Sequence, residues 1–468
     1  MLGWLDHYGP HLTSFRINEY CRSAWWNEHP LQQLPCPNLL EIKLYGCNVQ
    51  LGAADGHPGV IQGCTKLTYL ELWCNIVDAP VHNDVLDGSL SSLVHLQYLN
   101  VMPECRHVDD WQGDWGRPSI GGLPEATLPN LQHLTFLRVD RLGMGNLPQL
   151  GALTRLQSLR LLLADDTTVG PSNAPDLTFP ASLTALFLLT PVEPWVLSLV
   201  PTGLQKLQVL CAEGGPVEGH GSLLCGMARL QRLTELVLHT KGPVWPPVGP
   251  AYSALTASSS LEYMSLVDTY FPPGVWSHVF PAGRKLPHLT YLTSRVPEDD
   301  DRIYEIDGVT PPQWGAADIA SLVSCCPYLC GLDSLPLQPG VPLSELHKLT
   351  TLTWLSVECS SDDVMLVVES VKGLAALTQL RDLLFRTDCA ELAKADILPL
   401  THLTALRSLF CSFESDSDDD HMGFSTLQVN TRLGCSKLEL SAQQCASREQ
   451  HAVVGQGLPR QQMQVRTL

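Results

Sequence analysis

Four stretches of this chain share one spacing: leucines at steps of three, closed by a single step of two. They run Leu90, Leu93, Leu96, Leu99, Val101; Leu128, Leu131, Leu134, Leu137, Val139; Leu150, Leu153, Leu156, Leu159, Leu161; and Leu374, Leu377, Leu380, Leu383, Phe385. Steps of three suit a helical or winding backbone. A step of two suits a strand, where alternate side chains share a face. The chain therefore passes from a winding segment into a short strand, again and again. Taking the residue before the two-residue step as an anchor gives Phe15, Ile42, Leu70, Leu99, Leu137, Leu159, Leu186, Leu207, Leu236, Met264, Leu292, Leu332, Leu355, Leu383 and Leu409. Their mean interval is about 28 residues, too short for two helices plus turns in each unit. One such unit buries too few side chains to offset the entropy of ordering its backbone, so stability must belong to a stack of them.

Two stretches carry more than leucine spacing: Leu39-x-x-Ile42-x-Leu44-x-x-Cys47-x-Val49 and Leu67-x-x-Leu70-x-Leu72-x-x-Asn75-x-Val77. On these residues the chain resembles the leucine-rich-repeat family. The resemblance implies an α/β solenoid: a curved horseshoe with a parallel sheet on its concave face and helices and irregular turns on its convex face. The family's Asn or Cys position is elsewhere filled by Leu142, Ala164, Pro191 and Lys241, so no continuous asparagine ladder is expected. Ser361 with the two acids after it reads as the capped start of a helix reaching Val371. The stretch from Ile319 to Leu332, with Cys325-Cys326-Pro327, resembles the cysteine-containing repeats of F-box and related intracellular proteins.

Residues 1–414 are read as a solenoid of about 15 repeats, since Leu12 to Ile17 already fit the pattern. On that reading neither an F-box nor a polar capping unit is expected within this sequence, which leaves open a fragment of a longer chain or a first repeat covered by a partner. Residues 415–468 read as a mostly disordered tail, acidic through Asp420 and then Gln-rich, with Ser415 and Ser417 in acidic surroundings. Two anchor intervals are long. The one from Leu99 to Leu137 holds Trp111 and Trp115; the one from Leu292 to Leu332 holds Glu298 to Asp301 and then Trp314. Such insertions are expected as loops at an edge of the array.

With 29 Lys and Arg against 48 Asp and Glu, the formal charge is −19, which argues against a nucleic-acid backbone as partner. The 16 cysteines are scattered from Cys21 to Cys445, and no Asn-x-Ser/Thr acceptor occurs. Reduced thiols in the cytoplasm are the expectation. No apolar run is long enough to span a bilayer, so no membrane insertion is expected. Phosphate-loop, zinc-protease and nucleophile-elbow motifs are all missing. Cys325, Cys326 and Cys330 have no neighbouring His, so packing thiols are expected rather than a metal site. The expectation is therefore no enzyme, no cofactor, no metal and no small-molecule substrate.

What remains is a surface. Residues flanking each anchor point away from the core. In the N-terminal third they include Tyr45, Tyr69, Trp73, Tyr98, Asn100, Met102, Phe136, Arg138 and Arg160. Tyr, Trp and Arg dominate protein–protein binding energy. These nine residues are the candidate partner-binding site of a non-enzymatic interaction scaffold. The family resemblance implies two alternatives: the substrate-recognition part of a ubiquitin ligase, or a structural subunit of a cytoskeletal or ciliary axoneme assembly.

Overall fold

Each leucine step of three is one tight turn. The Leu93 N–H donates to the Leu90 carbonyl at 3.0 Å and the Leu96 N–H to that of Leu93 at 2.9 Å. The same relay joins Leu128, Leu131 and Leu134 (3.0 and 3.0 Å), and Leu374, Leu377 and Leu380 (2.9 and 2.9 Å). Bonds from residue i to i−3 wind the backbone at about three residues per turn, so side chains at that spacing stack on one side. All of these leucines are at most 1% exposed.

The computed structural model describes residues 7–18, 34, 36–49, 61, 63–76, 90, 92–103, 128–142, 144–163, 169, 176–211, 217–240, 249–267, 271–272, 274–295, 313–338, 341, 343–359, 364–387, 396, 398–413, 425–430 and 443–444. The chain forms two units: residues 1–336 with 348–352, and residues 337–347 with 353–468.

In the first unit the winding turns deliver the chain into β1 (Ser14–Asn18), β2 (Glu41–Val49), β3 (Tyr69–Ile76), β4 (Tyr98–Pro103), β5 (Phe136–Leu142) and β6 (Ser158–Leu163). They continue as β7 (Ala185–Val192), β8 (Lys206–Cys211), β9 (Glu235–Thr240), β10 (Tyr263–Val267), β11 (Tyr291–Arg295) and β12 (Gly331–Pro336). Each strand pairs in parallel with the next in sequence order. The anchors stand opposite one another, from Phe15 against Ile42 to Leu292 against Leu332. From Ile42 to Leu332 each anchor is at most 1% exposed; Phe15 is half-buried.

The second unit holds the parallel strands β13 (Trp354–Cys359), β14 (Asp382–Thr387) and β15 (Ser408–Phe413). β16 (Ser425–Asn430) runs antiparallel to β15, and β17 (Gln443–Gln444) antiparallel to β16. Both lie in the stretch read as a tail; the acidic run 414–420, with Ser415 and Ser417, lies outside the described residues.

Connections in the first unit include the helices α1 (Val217–Ala228), α2 (Trp276–Val279) and α3 (Ala316–Cys325), with 3₁₀ segments such as Pro194–Ser198 and Pro250–Thr256. The helix expected after Ser361 is α4 (Val364–Leu374) in the second unit; Ser361 itself lies outside the described residues. No described helix is long and apolar enough to cross a membrane.

A threonine ladder runs along the strand entrances of the first unit. Two residues before each anchor, one carbonyl receives two N–H groups from the next repeat: the Leu40 carbonyl accepts from Thr68 and Tyr69 at 2.9 and 3.0 Å, and the Thr68 carbonyl from Gln97 and Tyr98 at 2.8 and 3.0 Å. In alternate repeats a threonine at that position adds its hydroxyl. Thr68, Thr135, Thr184, Thr234 and Thr290 donate to the carbonyls of Leu40, Gln97, Gln157, Gln205 and Glu262 at 3.0–3.2 Å. Gln97, Gln157, Gln205 and Glu262 occupy the repeats between. The structural period is thus two repeats.

Trp314 departs from the loop expected of its long interval. It is 0% exposed and stacks on Trp276, ring centroids 4.1 Å apart at 17°, and its backbone N–H donates to the Pro336 carbonyl at 2.7 Å. Asp318 of α3 accepts the backbone N–H groups of Gly315 and Ser277 at 2.9 and 3.1 Å, tying α3 to α2. Trp111, Trp115 and Glu298 to Asp301 lie outside the described residues.

Candidate functional site

The side chains opposite the anchors form rows across β1 to β6. The first row reads Ser14, Glu41, Tyr69, Tyr98, Phe136, Ser158, each in register with the next. Its rings stack: Tyr69 on Tyr98 at 4.1 Å and 3°, Tyr98 on Phe136 at 4.3 Å and 7°. Adjacent strands in a sheet lie about 4.8 Å apart, so only in-register rings can stack this way. The second row reads Arg16, Lys43, Glu71, Asn100, Arg138, Arg160. In the third, Tyr45 pairs with Trp73 and Trp73 with Met102; the Tyr45 and Trp73 rings lie 5.9 Å apart.

Three cations lean over these rings. Lys43 Nζ lies 4.5 Å from the Tyr69 centroid, the Arg16 guanidinium 5.6 Å from that of Tyr45, and the Arg138 guanidinium 5.9 Å from that of Trp73. Such pairs are attractive through the ring quadrupole. Trp73 is 40% exposed despite its size.

The two carboxylates of the rows are engaged by protein donors. Glu71, 8% exposed, accepts the Tyr69 hydroxyl at 2.8 Å and the Asn100 amide at 3.2 Å. Burial first, then the bond to Glu71, pushes the Tyr69 hydroxyl well above its ordinary pKa. Glu41 takes Lys43 at 2.5 Å and the Ser14 hydroxyl at 2.9 Å, and these two bonds, Lys43 first, hold its carboxyl below the usual value.

All nine residues chosen from sequence therefore lie on one face of β2 to β6. Eight are half-buried or exposed; Asn100 is the exception, 3% exposed beneath its neighbours. Arg16, Lys43 and Glu71 belong to the same site and were left out of the sequence choice. Their signal was present, since each sits one residue past an anchor.

Several cysteines are buried among the leucines. Burial raises the thiol of Cys64 to about 11 and those of Cys211 and Cys411 to about 12, so each keeps its proton at neutral pH. Cys325 and Cys326 are 0% exposed, and the Cys325 thiol donates to the Pro281 carbonyl at 3.3 Å. Among the described residues no group of three or more His, Cys, Asp or Glu side chains is placed to hold a metal ion. No family model matches the chain, and no curated protein matches it in sequence.

Proposed function

We propose that this chain is a non-enzymatic scaffold that grips a protein partner on the face of β2 to β6. In this reading the parallel strands belong to a leucine-rich-repeat solenoid, curved so that the gripping face is concave. The reading places the protein in the cytoplasm, on the strength of its scattered cysteines. One observation carries the contact function: a 40% exposed Trp73 beneath the Arg138 guanidinium, beside three stacked rings. Rigid rings and stacked arginines offer contact area at low entropic cost, the mark of binding hot spots.

The test is affinity capture from the source cell with wild type and a Trp73→Ala, Arg138→Ala double variant. Loss of the principal partner, with the circular dichroism spectrum unchanged, is the expected result. Equal recovery by both proteins would defeat the proposal. A second reading, substrate recognition for a ubiquitin ligase, is favoured by the repeat of α3, Cys326-Pro327 and β12; co-capture of ligase subunits is its expected sign.

A further inference from the structure

We propose that the turns leading into the strands of the first unit form a second interaction surface, one that rests on an anionic membrane. It is separate from the face of β2 to β6 and does not depend on the partner reading above. Each strand of this unit is entered through the seven residues that lie eight to two before its anchor. These segments stack side by side. From Thr13 through Thr290, the carbonyl two before each anchor accepts N–H groups from the next repeat. From β1 to β12, at about 4.8 Å per strand, they make a flank about 50 Å long.

Two independent features collect on this flank. The first is charge. Its segments hold six cations, Lys66, Arg155, Arg229, Arg232, Arg284 and Lys285, against one acid, Glu262, a balance of 6 − 1 = +5. Widening every segment by one residue at both ends adds Lys206, Glu41, Glu235 and Asp6, and the balance stays at 7 − 4 = +3. The whole chain carries −19, so the residues outside the segments carry −19 − 5 = −24. The contacts of these cations are with uncharged groups and leave their charge standing. Lys66 Nζ donates to Asn38 Oδ1 at 2.8 Å and Lys285 Nζ to the Ser324 carbonyl at 2.6 Å. Arg229 donates to the Ser198 carbonyl, and Arg284 to those of Ser253 and Thr256 at 2.7 and 2.8 Å. Arg155 meets the His133 ring at 3.0 Å. All six are exposed except the half-buried Arg284.

The second feature is apolar exposure. Among the described residues of the first unit, the exposed large hydrophobic side chains are Tyr8, Leu40, Trp73, Val94 and Tyr328, and all but Trp73 belong to this flank. Neighbouring repeats carry polar residues at the same places: Thr68 corresponds to Leu40 and Gln132 to Val94. Cations without carboxylates, with apolar side chains set among them, suit a bilayer surface. The cations meet headgroup charge while the apolar side chains enter the boundary between headgroups and acyl chains. A nucleic acid or an acidic peptide would satisfy the cations but leave Leu40, Val94 and Tyr328 against polar groups. A bilayer is flat and meets one flank at a time, and acidic charge more than about 10 Å behind that flank is largely screened. No described helix is long and apolar enough to cross a membrane, so the contact is peripheral.

The test is co-sedimentation of the full chain with vesicles of phosphatidylcholine alone, or of phosphatidylcholine with about 30% phosphatidylserine. Only the anionic vesicles are expected to bind, and salt raised from about 100 to about 500 mM should release the protein. Lys66→Gln, Arg155→Gln and Arg232→Gln combined should weaken binding at least about tenfold. Leu40→Thr with Val94→Gln, which leaves the charge unchanged and borrows residues from neighbouring repeats, should weaken it about threefold or more. Circular dichroism confirms the fold of both variants. No binding to anionic vesicles, equal binding to neutral ones, or binding that ignores both variants overturns the proposal. Binding of a fluorescein-labelled polyglutamate peptide, without binding of vesicles, would assign the flank to an acidic protein and overturn the membrane. None of these substitutions touches Trp73 or Arg138, so failure here leaves the capture experiment to decide the contact reading by itself.

Discussion

Asn100 belongs to the aromatic face by position and to the core by burial. Alternation along β4 sets it beside Tyr98 and Met102, away from Leu99 and Val101, yet it is 3% exposed. Its amide is drawn to Glu71, which also takes the Tyr69 hydroxyl. The residue thus acts by fixing a carboxylate, and through it a ring of the ladder. Asn100→Asp would set a second carboxylate about 3 Å from the first, where both cannot stay ionised cheaply. The proton the pair would hold in the fold has a pKa raised above its unfolded value. The folded protein is therefore unpenalised below that unfolded value, about pH 4, and loses stability as pH rises above it. The expected cost is about 1–3 kcal/mol at pH 7, shrinking toward zero near pH 4. Urea midpoints at the two pH values measure it. An unchanged midpoint at pH 7 would mean that the contact between Glu71 and Asn100 is not formed.

The strands show what a single-repeat reading catches and what it overlooks. Anchors, faces and the Tyr69–Tyr98–Phe136 row were legible because the two-residue step fixes register, and register fixes neighbours across a parallel sheet. The diagonal reach of Arg138 over Trp73 was not, since it depends on side-chain rotamers across strands. Trp314 looked like loop because spacing alone cannot tell an insertion that leaves the core from one that returns to it. The threonine ladder was written in the sequence, but its period is two repeats, and comparing each repeat with one consensus averages it away. If the ladder stabilises the strand entrances, Thr135→Val and Thr184→Val should each cost about 0.5–1.5 kcal/mol, the net value of one hydrogen bond. Gln157→Thr, which offers a hydroxyl to the Thr135 carbonyl, should stabilise by up to about 1 kcal/mol. Denaturant midpoints of the three variants decide this. Valine variants as stable as wild type would reduce the ladder to a side effect of strand geometry.

At the scale of the first unit, stability belongs to neighbouring repeats rather than to one central core. Each anchor touches the anchors of the strands before and after it, as Leu99 lies between Leu70 and Leu137. A stack of this kind behaves as a row of linked elements in which damage is felt locally and decays with distance. Leu99→Ala would open a cavity in the middle of the aromatic panel at an expected cost of about 2–5 kcal/mol. In native-state hydrogen exchange, amides of β3, β4 and β5 should lose protection together. Those of β9, β10 and β11, five or more strands away, should keep theirs. The same variant should weaken partner capture although it alters no surface residue, because Tyr98 and Asn100 flank Leu99 on the same strand. Uniform loss of protection from β1 to β12 would instead make the unit a single cooperative body. The aromatic panel would then draw its rigidity from the whole sheet and not from its own repeats.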